Sequence, residues 1–590
     1  MSETEYRGQV DARARQMLEA MRERGAWKSM WTVHALLATD GDSAEVTATV
    51  ERNLNEESGP FQIFSAVMLL VRWEDRLEPS AVDRIRQLMT ADLLMRGNTE
   101  NHWLMYYVGN LLGAERWADE ELLWNGLPPE VMRDEASRWI LGMIARTAVN
   151  GHHEYDSTGY IAEHCAPYIA LADHARDPHM RRQAEQMLAL LVADMALEYF
   201  HGAWAGGHSR EGYRENTKTH VGPVQGLHYL YFGDEDFDPD RHCQGYVTPA
   251  LTARYRPPAL LAALALDRQE PRVVRKTKAP RSIYRHVDRA AAPVRKYTYL
   301  SPSFALGSTQ VGLPGAPAAP IDLVSWDLSW LAPNQEGKVV CNHPYRGVGR
   351  FSAFLPGLPH AIGRSISSDK PYLQYPDRLF GASPYERMMQ HEGTVVVLYS
   401  IPADDESPYV NIFLPKSLDW CERDGWLMAD VGGFYLSLRP IGPYSWLEIR
   451  EASNANIMVR QGNLIDGWLL RIDALQPGLV LEAVEAKEAG GFEAFCRRRA
   501  SLHLDLNGWP QDGRVAVDSF GETHLEMHYN GPHLIDGVAI DYEAYPIYEA
   551  PGVEAPLGTG RMTFQHGDDR LELDFGVDGE TPQLPMRVIG

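Results

Sequence analysis

Two polar segments of the chain, about fifty residues apart, carry residue types that could move a proton beside a carboxylate. The first is Asn98-Thr-Glu-Asn101-His102-Trp103, and the second is Gly151-His-His-Glu-Tyr155-Asp156-Ser-Thr-Gly-Tyr160. An amide can hold a carboxylate by hydrogen bonding, while an imidazole or a phenol can take a proton from carbon and return one to a leaving oxygen. Eliminative cleavage of a uronic-acid sugar requires this combination, and it is the chemistry that the two segments favour.

The roles within these segments follow from where charge develops during such a reaction. Abstraction of the C5 proton builds negative charge on the carboxyl group, and each well-placed hydrogen-bond donor stabilises that charge by about 3 kcal/mol. The amide of Asn101 can be such a donor. A tyrosine, whose ordinary pKa is about 10, is a weak base at neutral pH unless a cation or an imidazole lies near it. We expect Arg210, His208 or His220 to supply that field for Tyr160. The structural alternative for the first segment is a capped helix start followed by core residues.

A third segment, residues 201–214, joins two predicted helices through a glycine-rich loop that carries aromatic and cationic side chains. Functional loops often have this composition, although a rigid turn is a nearly equal alternative. We expect Trp204 to stack on a sugar face. Arg210 or Arg214 would bind a uronate, and Tyr213 or His208 would transfer a proton.

The composition limits the partners and the compartment. The chain has 590 residues and a formal net charge of −24, which repels nucleic acid and anionic membrane surfaces at long range. It has no apolar run long enough for a membrane span and no secretory signal at its start, so we expect a cytoplasmic protein. Its five cysteines are scattered and predict no disulfide framework. An acidic polysaccharide or oligosaccharide still fits as a partner, because it needs only a local basic cleft.

A metal site would need side chains that converge from distant parts of the helical region. The histidines that could do so are His152, His153, His201, His208 and His220. No HExxH motif or other close ligand spacing is present, so we predict no cofactor and no metal, with a structural divalent ion as the alternative.

The periodicity of apolar residues divides the chain into a helical and a β half. From residue 6 to about 265 they recur at three- and four-residue steps, which predicts roughly nine to eleven helices. Further on the period becomes two, and short strands alternate with Gly, Pro, Asn and Asp turns. We therefore predict a helical domain at 1–267, a basic linker at 268–300, an antiparallel β-sandwich at 301–490, and a C-terminal helix with a smaller sheet at 491–590.

This order of elements, with Asn101-His102 on an early helix and Asp156-Ser-Thr-Gly-Tyr160 before a later one, resembles the toroid-plus-sandwich polysaccharide lyases. These include the heparinase II/III-like and alginate-lyase-like families. The resemblance implies an α+β multidomain fold, with an α/α toroid whose ring need not close and a large antiparallel β-sandwich. It also implies that Asn101 neutralises the uronate carboxylate, that His102 neutralises it or acts as base, and that Tyr160 acts as base and acid, with Tyr155 as the alternate.

The sequence thus favours an enzyme, a lyase that cleaves a 4-O-linked uronic acid by β-elimination and leaves a 4,5-unsaturated sugar. The predicted catalytic residues are Asn101, His102, Tyr160, Tyr155, His208 and Arg210. The predicted substrate-binding residues are Trp103, His153, Trp204, Tyr213, Arg214 and His220. A homo-oligomer is compatible with the sequence.

Two alternatives use the same scaffold differently. One is a non-catalytic carbohydrate-binding protein, whose aromatic side chains stack on glycan without chemistry. The other is a glycoside hydrolase that uses a pair of carboxylates, because a fold does not fix the chemistry. Its candidate carboxylates are Glu100, Glu154, Asp156, Glu163, Glu211 and Glu215.

Overall fold

The structure is a computed structural model, and it describes most of the chain. The described residues are 1–24, 29–41, 43–54, 59–90, 96, 100–121, 123, 126–153, 156–208, 217–279, 293–311, 324–345, 379, 383–449 and 467–577. None of the helices among them is long and apolar enough to cross a membrane.

The N-terminal half is helical, as the sequence predicts. Its helices are α1 (Glu3–Glu23), α2 (Met30–Ala38), α3 (Ser43–Leu54), α4 (Pro60–Trp73), α5 (Pro79–Met89), α6 (Glu100–Arg116), α7 (Pro129–Asn150), α8 (Tyr160–His174), α9 (Pro178–Leu197), α10 (Val224–Tyr231), α11 (Pro239–His242), α12 (Thr248–Thr252) and α13 (Ala259–Leu266). Between α9 and α10 lies a two-stranded hairpin of β1 (Tyr199–Phe200) and β2 (Ala203–Trp204).

Local sequence signals explain where these helices begin. Ser2 and Glu5 form a capping box at the start of α1. Pro60, Pro79 and Pro129 each stand at the first position of a helix, where a missing N–H costs nothing. Successive helices pack as hairpins, and α1 also contacts α10 to α13, so the first helix meets the last ones. The helical half is therefore curled round a common core.

The C-terminal half is antiparallel β-structure. Its strands are β3 (Arg272–Lys278), β4 (Val294–Leu300), β5 (Ala305–Val311), β6 (Trp326–Ser329), β7 (Lys338–Asn342), β8 (Glu386–His391), β9 (Thr394–Tyr399), β10 (Tyr409–Leu414), β11 (Trp420–Arg423), β12 (Trp426–Asp430), β13 (Phe434–Ile441), β14 (Tyr444–Ile449), β15 (Gly467–Asp473), β16 (Gly478–Glu485), β17 (Leu504–Asp505), β18 (Arg514–Asp518), β19 (His524–His528), β20 (His533–Ile535), β21 (Val538–Ala539), β22 (Tyr548–Ala550), β23 (Val553–Ala555), β24 (Arg561–His566) and β25 (Asp569–Asp574). The short helices are α14 (Ala486–Ala489), α15 (Phe492–Ser501) and α16 (Trp509–Asp512).

These strands form three stacked layers. A 12-stranded sheet has the order β14-β15-β10-β7-β6-β5-β4-β3-β22-β23-β24-β25, and a 6-stranded sheet has the order β11-β12-β13-β16-β9-β8. Residues such as Leu328 and Ile412 of the first sheet pack on Val397 and Leu436 of the second, which makes a sandwich core. The other face of the 6-stranded sheet packs on α15 and on the 5-stranded sheet β17 to β21. The predicted fold class, a helical body followed by a large antiparallel sandwich, is confirmed.

One boundary differs from the sequence interpretation. The range 268–300, which we interpreted as a basic linker, contains β3 and β4 of the 12-stranded sheet. The interpretation was wrong because basic residues are usually solvated, whereas Lys276 and Lys296 are fully buried here. In addition, β22 to β25 continue the same sheet, so residues 548–574 are joined to β3 rather than forming a separate layer. The other predicted boundaries stay predictions.

A closed ring of six buried charges joins the helical half to the sheet. Each of three lysines bonds to two carboxylates, and each carboxylate bonds to two lysines, so the charges alternate round the ring. In order, its members are Lys276, Asp194, Lys278, Asp156, Lys296 and Glu198. All six side chains are 0% exposed. The lysines come from β3 and β4, two carboxylates come from α9 and the residue that follows it, and the third lies in the turn before α8.

Burial makes this ring sensitive to the loss of any one member. A buried charge is tolerated only when it is paired, and removal of one partner from a buried ion pair destabilises a protein by about 3–5 kcal/mol. Around the ring, the Glu198 carboxylate also accepts hydrogen bonds from Thr298 at 2.6 Å and from the indole of Trp204 at 3.2 Å. The ring is therefore one connected polar unit within an apolar interface.

We expect K296M to lower the free energy of unfolding by about 3 kcal/mol or more, because it leaves the Asp156 and Glu198 carboxylates buried with one cation fewer. The measurement is a urea unfolding curve. R138M, which removes an exposed ion pair to Asp134, should cost less than about 0.5 kcal/mol. Equal effects of the two substitutions would contradict the structural importance of the ring.

Candidate functional site

The turn that leads into α8 is held by the charge ring. Asp156 has a left-handed backbone with φ of 49°, a conformation that Asp adopts more readily than most residues. Burial alone would raise the pKa of its carboxyl group, but Lys276, Lys278 and Lys296 hold this pKa well below its ordinary value. The next residue, Ser157, accepts a hydrogen bond from the backbone N–H of Tyr160 at 3.1 Å. The ring thus fixes the point at which α8 and its first residue, Tyr160, begin.

The turn also needs a glycine at the end of α7. Gly151 has φ of 88°, and a Cβ atom there would lie 2.2 Å from the carbonyl oxygen of Thr277 in β3. Only glycine therefore lets the chain turn at this close approach to the sheet. The turn carries His152 and His153 into the interior, where both are buried.

Asn101 and α8 are in direct contact. The side-chain amide of Asn101, in the first turn of α6, donates a hydrogen bond to the Glu163 carboxylate. Asn101 is fully buried and Glu163 nearly so. Because Glu163 follows Tyr160 by three residues on α8, the two side chains are neighbours on the helix surface. The structure thus brings together the beginnings of the two helices on which the sequence placed the chemistry.

The residues after Asn101 line the same region from α6. His102 is half-buried, and its ring packs edge-on against Phe61 with centroids 4.8 Å apart. Trp103 is also half-buried, and the guanidinium of Arg96 lies 4.1 Å from its ring centroid. Both side chains are therefore partly exposed, whereas Asn101 is fully buried.

A cluster of three imidazoles lies behind Tyr160. His152 and His153 meet His164, which follows Tyr160 by four residues on α8, and the ring centroids are 4.8 to 5.3 Å apart. Burial lowers the pKa of His152 well below its ordinary value, and the neighbouring His164 and His153 lower it further. From the sequence, His152 and His153 were candidates, but His164 was not combined with them. The signal that could have done so is helical spacing, since positions four apart share a helix face.

Several predicted site residues are more enclosed than expected, among them His153, which was predicted to bind substrate but is 2% exposed. Trp204 is 2% exposed, so its faces are covered by protein and cannot stack on a sugar in this arrangement. His208 is also buried, and its Nδ1 lies 3.1 Å from the carbonyl oxygen of Asp156, while its Nε2 lies 3.6 Å from Asp327. His220 donates from Nε2 to the carbonyl oxygen of His201 at 2.8 Å. These residues hold the turns together.

Four further predicted residues lie outside the described part of the chain. They are Tyr155, Arg210, Tyr213 and Arg214. Their predicted roles stay predictions.

A cleft lined by several arginines lies elsewhere, at the C-terminal end of α8. Its volume is about 1020 Å³, and α9, the 254–258 segment and β25 contribute to its walls. Its cationic lining residues are Arg7, Arg176, Arg181, Arg182, Arg254 and Arg256. The cleft is also lined by the carboxylates of Asp173, Glu185 and Glu572, so arginines outnumber carboxylates in its walls. It is separated from Tyr160 by the length of α8, since Tyr160 is the first residue of that helix and Ala172 to His174 line the cleft.

Comparisons with known proteins give only distant similarities. No family model and no curated protein matches the sequence. Among solved structures, the chain is similar to a chondroitin AC lyase from Streptomyces coelicolor A3 in complex with chondroitin sulphate, at 12% identity and a TM-score of 0.44, over 94% of this chain and 88% of that one. It is also similar to a Paenibacillus xanthan lyase, at 9% identity and a TM-score of 0.42, over 94% of this chain and 60% of that one. A mutant of the heparan sulfate lyase HepC from Pedobacter heparinus gives 10% identity and a TM-score of 0.39, over 87% and 81%.

The burial of His228 leads to a prediction about the stability of the protein in acid. Burial lowers the pKa of His228 to about 4, and its Nδ1 donates to the carbonyl oxygen of Gly202 at 2.8 Å. Because this pKa is below the unfolded value of about 6.5, the unfolded state binds the proton first and the folded state loses stability as the pH falls. His228 should contribute about 2 kcal/mol to the loss between pH 6.5 and pH 5.

We therefore expect H228Q, which can keep the bond to Gly202, to lose less stability on acidification than the unsubstituted protein, by about 2 kcal/mol. Urea unfolding curves at several pH values measure this difference. H503Q, which changes an exposed histidine, should leave the pH dependence unchanged. An unaltered pH dependence in H228Q would show that His228 is not held neutral by burial.

Proposed function

We propose that the protein is a polysaccharide or oligosaccharide lyase that cleaves a 4-O-linked uronic acid by β-elimination. The observation that carries this proposal is the hydrogen bond between the Asn101 amide and the Glu163 carboxylate. It joins the beginnings of α6 and α8, so that an amide donor able to bind a carboxylate lies close to the helix turn that carries the Tyr160 phenol. These are the two groups that the elimination needs.

The Asn101 amide has the role of a hydrogen-bond donor to the substrate carboxylate. Its hydrogen bond to Glu163 already pairs it with a carboxylate and fixes the orientation of the side chain. A uronate carboxylate would accept a hydrogen bond from the same amide. Removal of the C5 proton turns that carboxylate into an enolate-like group, and a hydrogen bond from the amide stabilises the added charge. Because Asn101 is fully buried in the unliganded structure, substrate binding must uncover it.

The Tyr160 phenol has the role of proton carrier. Tyr160 acts as base in its deprotonated form: the phenolate oxygen takes the proton from C5 and becomes a phenol, and the electron pair of the C5–H bond forms the C4–C5 double bond as the C4–O4 bond breaks. The departing O4 then receives a proton from the phenol, so the group ends in the state in which it began. No water is consumed. Tyr160 is half-buried at the start of α8, which leaves the phenol nearer to solvent than Asn101.

The alternative of a hydrolase is disfavoured by the carboxylates that the structure describes. A glycoside hydrolase needs one carboxyl group that stays protonated near neutral pH. Asp156 cannot act in this way, because the three lysines hold its pKa well below its ordinary value. Glu163 is bonded to the Asn101 amide and is nearly buried. Of the other candidate carboxylates, Glu100 is 1% exposed, which leaves it little access to a sugar.

The finer features of the proposal come from the sequence. An acidic glycan fits the proposed donor and base, and a cytoplasmic location would favour short oligosaccharides over intact polymers. Among the predicted residues that the structure describes, His102 and Trp103 are best placed to meet a sugar, because both are only half-buried. His208 and His220 would act through the turns that they hold, rather than by contact with substrate.

The test is a screen of glucuronate-, iduronate- and mannuronate-containing glycans, followed by substitution of Tyr160. The unsaturated product absorbs ultraviolet light, whereas a hydrolysis product does not. On the active glycan we expect Y160F to lower kcat at least about 1000-fold, because proton transfer to and from carbon and oxygen is lost.

The matched control is Y168F, which removes a phenol oxygen two turns further along α8 and should keep kcat within about threefold, because Tyr168 is buried away from the first turn. New reducing ends without ultraviolet absorbance would favour the hydrolase instead. Glycan binding without turnover would favour the carbohydrate-binding alternative. An unchanged kcat in Y160F would contradict the role of Tyr160.

A further inference from the structure

We propose that His152, His153 and His164 form a binding site for one zinc ion in the interior of the helical half. Their candidate ligand atoms all lie within 4.8 Å of one another. The three side chains are 1 to 2% exposed. They come from two elements, the turn that follows α7 and the second turn of α8, so an ion held by them would connect the two.

The distances are close to those of a zinc site. With Zn–N bonds of about 2.0–2.1 Å in a tetrahedral arrangement, two ligand nitrogens lie about 3.4 Å apart. The upper limit of 4.8 Å on the separations in the cluster is greater by about 1.4 Å, which rotation of the imidazole rings can close. Three protein ligands leave the fourth tetrahedral position for a water or another small ligand, as in zinc sites with three histidines.

The polar atoms of His152 support the presence of a ligand. Both of its ring nitrogens are buried, and neither has a hydrogen-bond partner among the described residues. A buried polar group without a partner costs about 1–3 kcal/mol, so such groups usually have a partner, which can be an ion. A ring nitrogen bonded to zinc would remove that cost.

The ligand type also suits a metal. Imidazole binds zinc through the lone pair of a neutral ring. Imidazole ligands suit zinc, copper, nickel and iron, whereas calcium and magnesium prefer oxygen, so the ligand set selects a transition metal.

Nearby charges are mixed in sign. Lys278 acts on His152 as a cation, and Asp156 acts on it as an anion. Both belong to the charge ring, in which three lysines face three carboxylates. The buried carboxylate of Glu163, next to His164 in the chain, adds negative charge on the α8 side. Because the lysines of the ring already balance its carboxylates, Glu163 is the carboxylate that would offset the charge of a divalent cation.

The position suggests what the ion would do. It would tie the turn that carries Asp156 to the same face of α8 that carries Tyr160, since Tyr160 and His164 are four residues apart. An ion there would also lie one helical turn from the phenol. Any effect on proton transfer rests on the proposed function, whereas metal binding itself does not.

The experiment is metal binding by the full chain after treatment with a chelator. Cobalt(II) serves as the spectroscopic probe, because tetrahedral cobalt absorbs strongly in the visible range, and zinc competition gives the affinity. We expect one cobalt ion per chain with a tetrahedral spectrum, displaced by one equivalent of zinc, and a rise in Tm on zinc addition. H152Q and H164Q should each weaken binding at least about 100-fold.

Two controls distinguish this site from adventitious binding and from misfolding. The rings of His503 and His524 lie near the surface with centroids 5.8 Å apart, so this pair could bind cobalt adventitiously. H503Q removes one of the two ligands and should leave the tetrahedral spectrum unchanged. Circular dichroism shows whether H152Q and H164Q fold. If a substituted chain fails to fold, X-ray absorption by the zinc-loaded unsubstituted protein decides, because three imidazoles should appear in the coordination shell of the zinc ion. Absence of a tetrahedral spectrum, or its loss in H503Q alone, would overturn the proposal.

Discussion

The structure depends on the alternating ring of three lysines and three carboxylates between the helical half and the sheet. A buried charge is costly unless an opposite charge lies beside it, and here every charge has two opposite neighbours. The ring closes only when α9, the turn before α8, and strands β3 and β4 take one particular arrangement. The apolar core could tolerate small displacements of these elements, but the ring could not.

This constraint reaches the candidate site through Asp156. The carboxylate of Asp156 belongs to the ring, its carbonyl oxygen lies 3.1 Å from His208, and its chain neighbour Ser157 caps the start of α8. Tyr160 and His164 then follow on the same helix. A sheet residue such as Lys296 therefore influences the position of the phenol without contacting it. The half of the protein that carries no proposed chemistry contributes to the site by fixing the turn.

The sequence predicted the elements better than their contacts. Strands such as β9 and β13 could be located because a short apolar run bounded by turn residues is a local property of the sequence, and both strands are buried along almost their whole length. The sequence did not predict that Lys276, Lys278 and Lys296 are buried. A lysine is usually solvated, and the carboxylates that pair with a buried lysine are known only from the fold. For the same reason Trp204 was expected to face a sugar, whereas its indole bonds to Glu198 inside the protein.

For the site, the residue types in the sequence were informative, whereas the spacing of those residues along the chain was not. Asn101 and Tyr160 were selected by their chemistry, and the structure brings their helices into contact through Glu163, whose role the sequence did not suggest. The cluster of His152, His153 and His164 required knowing how the turn folds back on α8. Contacts between residues this far apart in the chain come from tertiary packing, which spacing along one chain does not encode.

A crystal structure of the Y160F protein with a bound uronate-containing oligosaccharide would decide whether Asn101 and Tyr160 act on the same sugar. We expect a uronate carboxylate to accept a hydrogen bond from the Asn101 amide, and C5 of that sugar to face the ring at position 160. An oligosaccharide bound instead in the arginine-lined cleft at the far end of α8, with Asn101 still covered, would contradict the proposed mechanism.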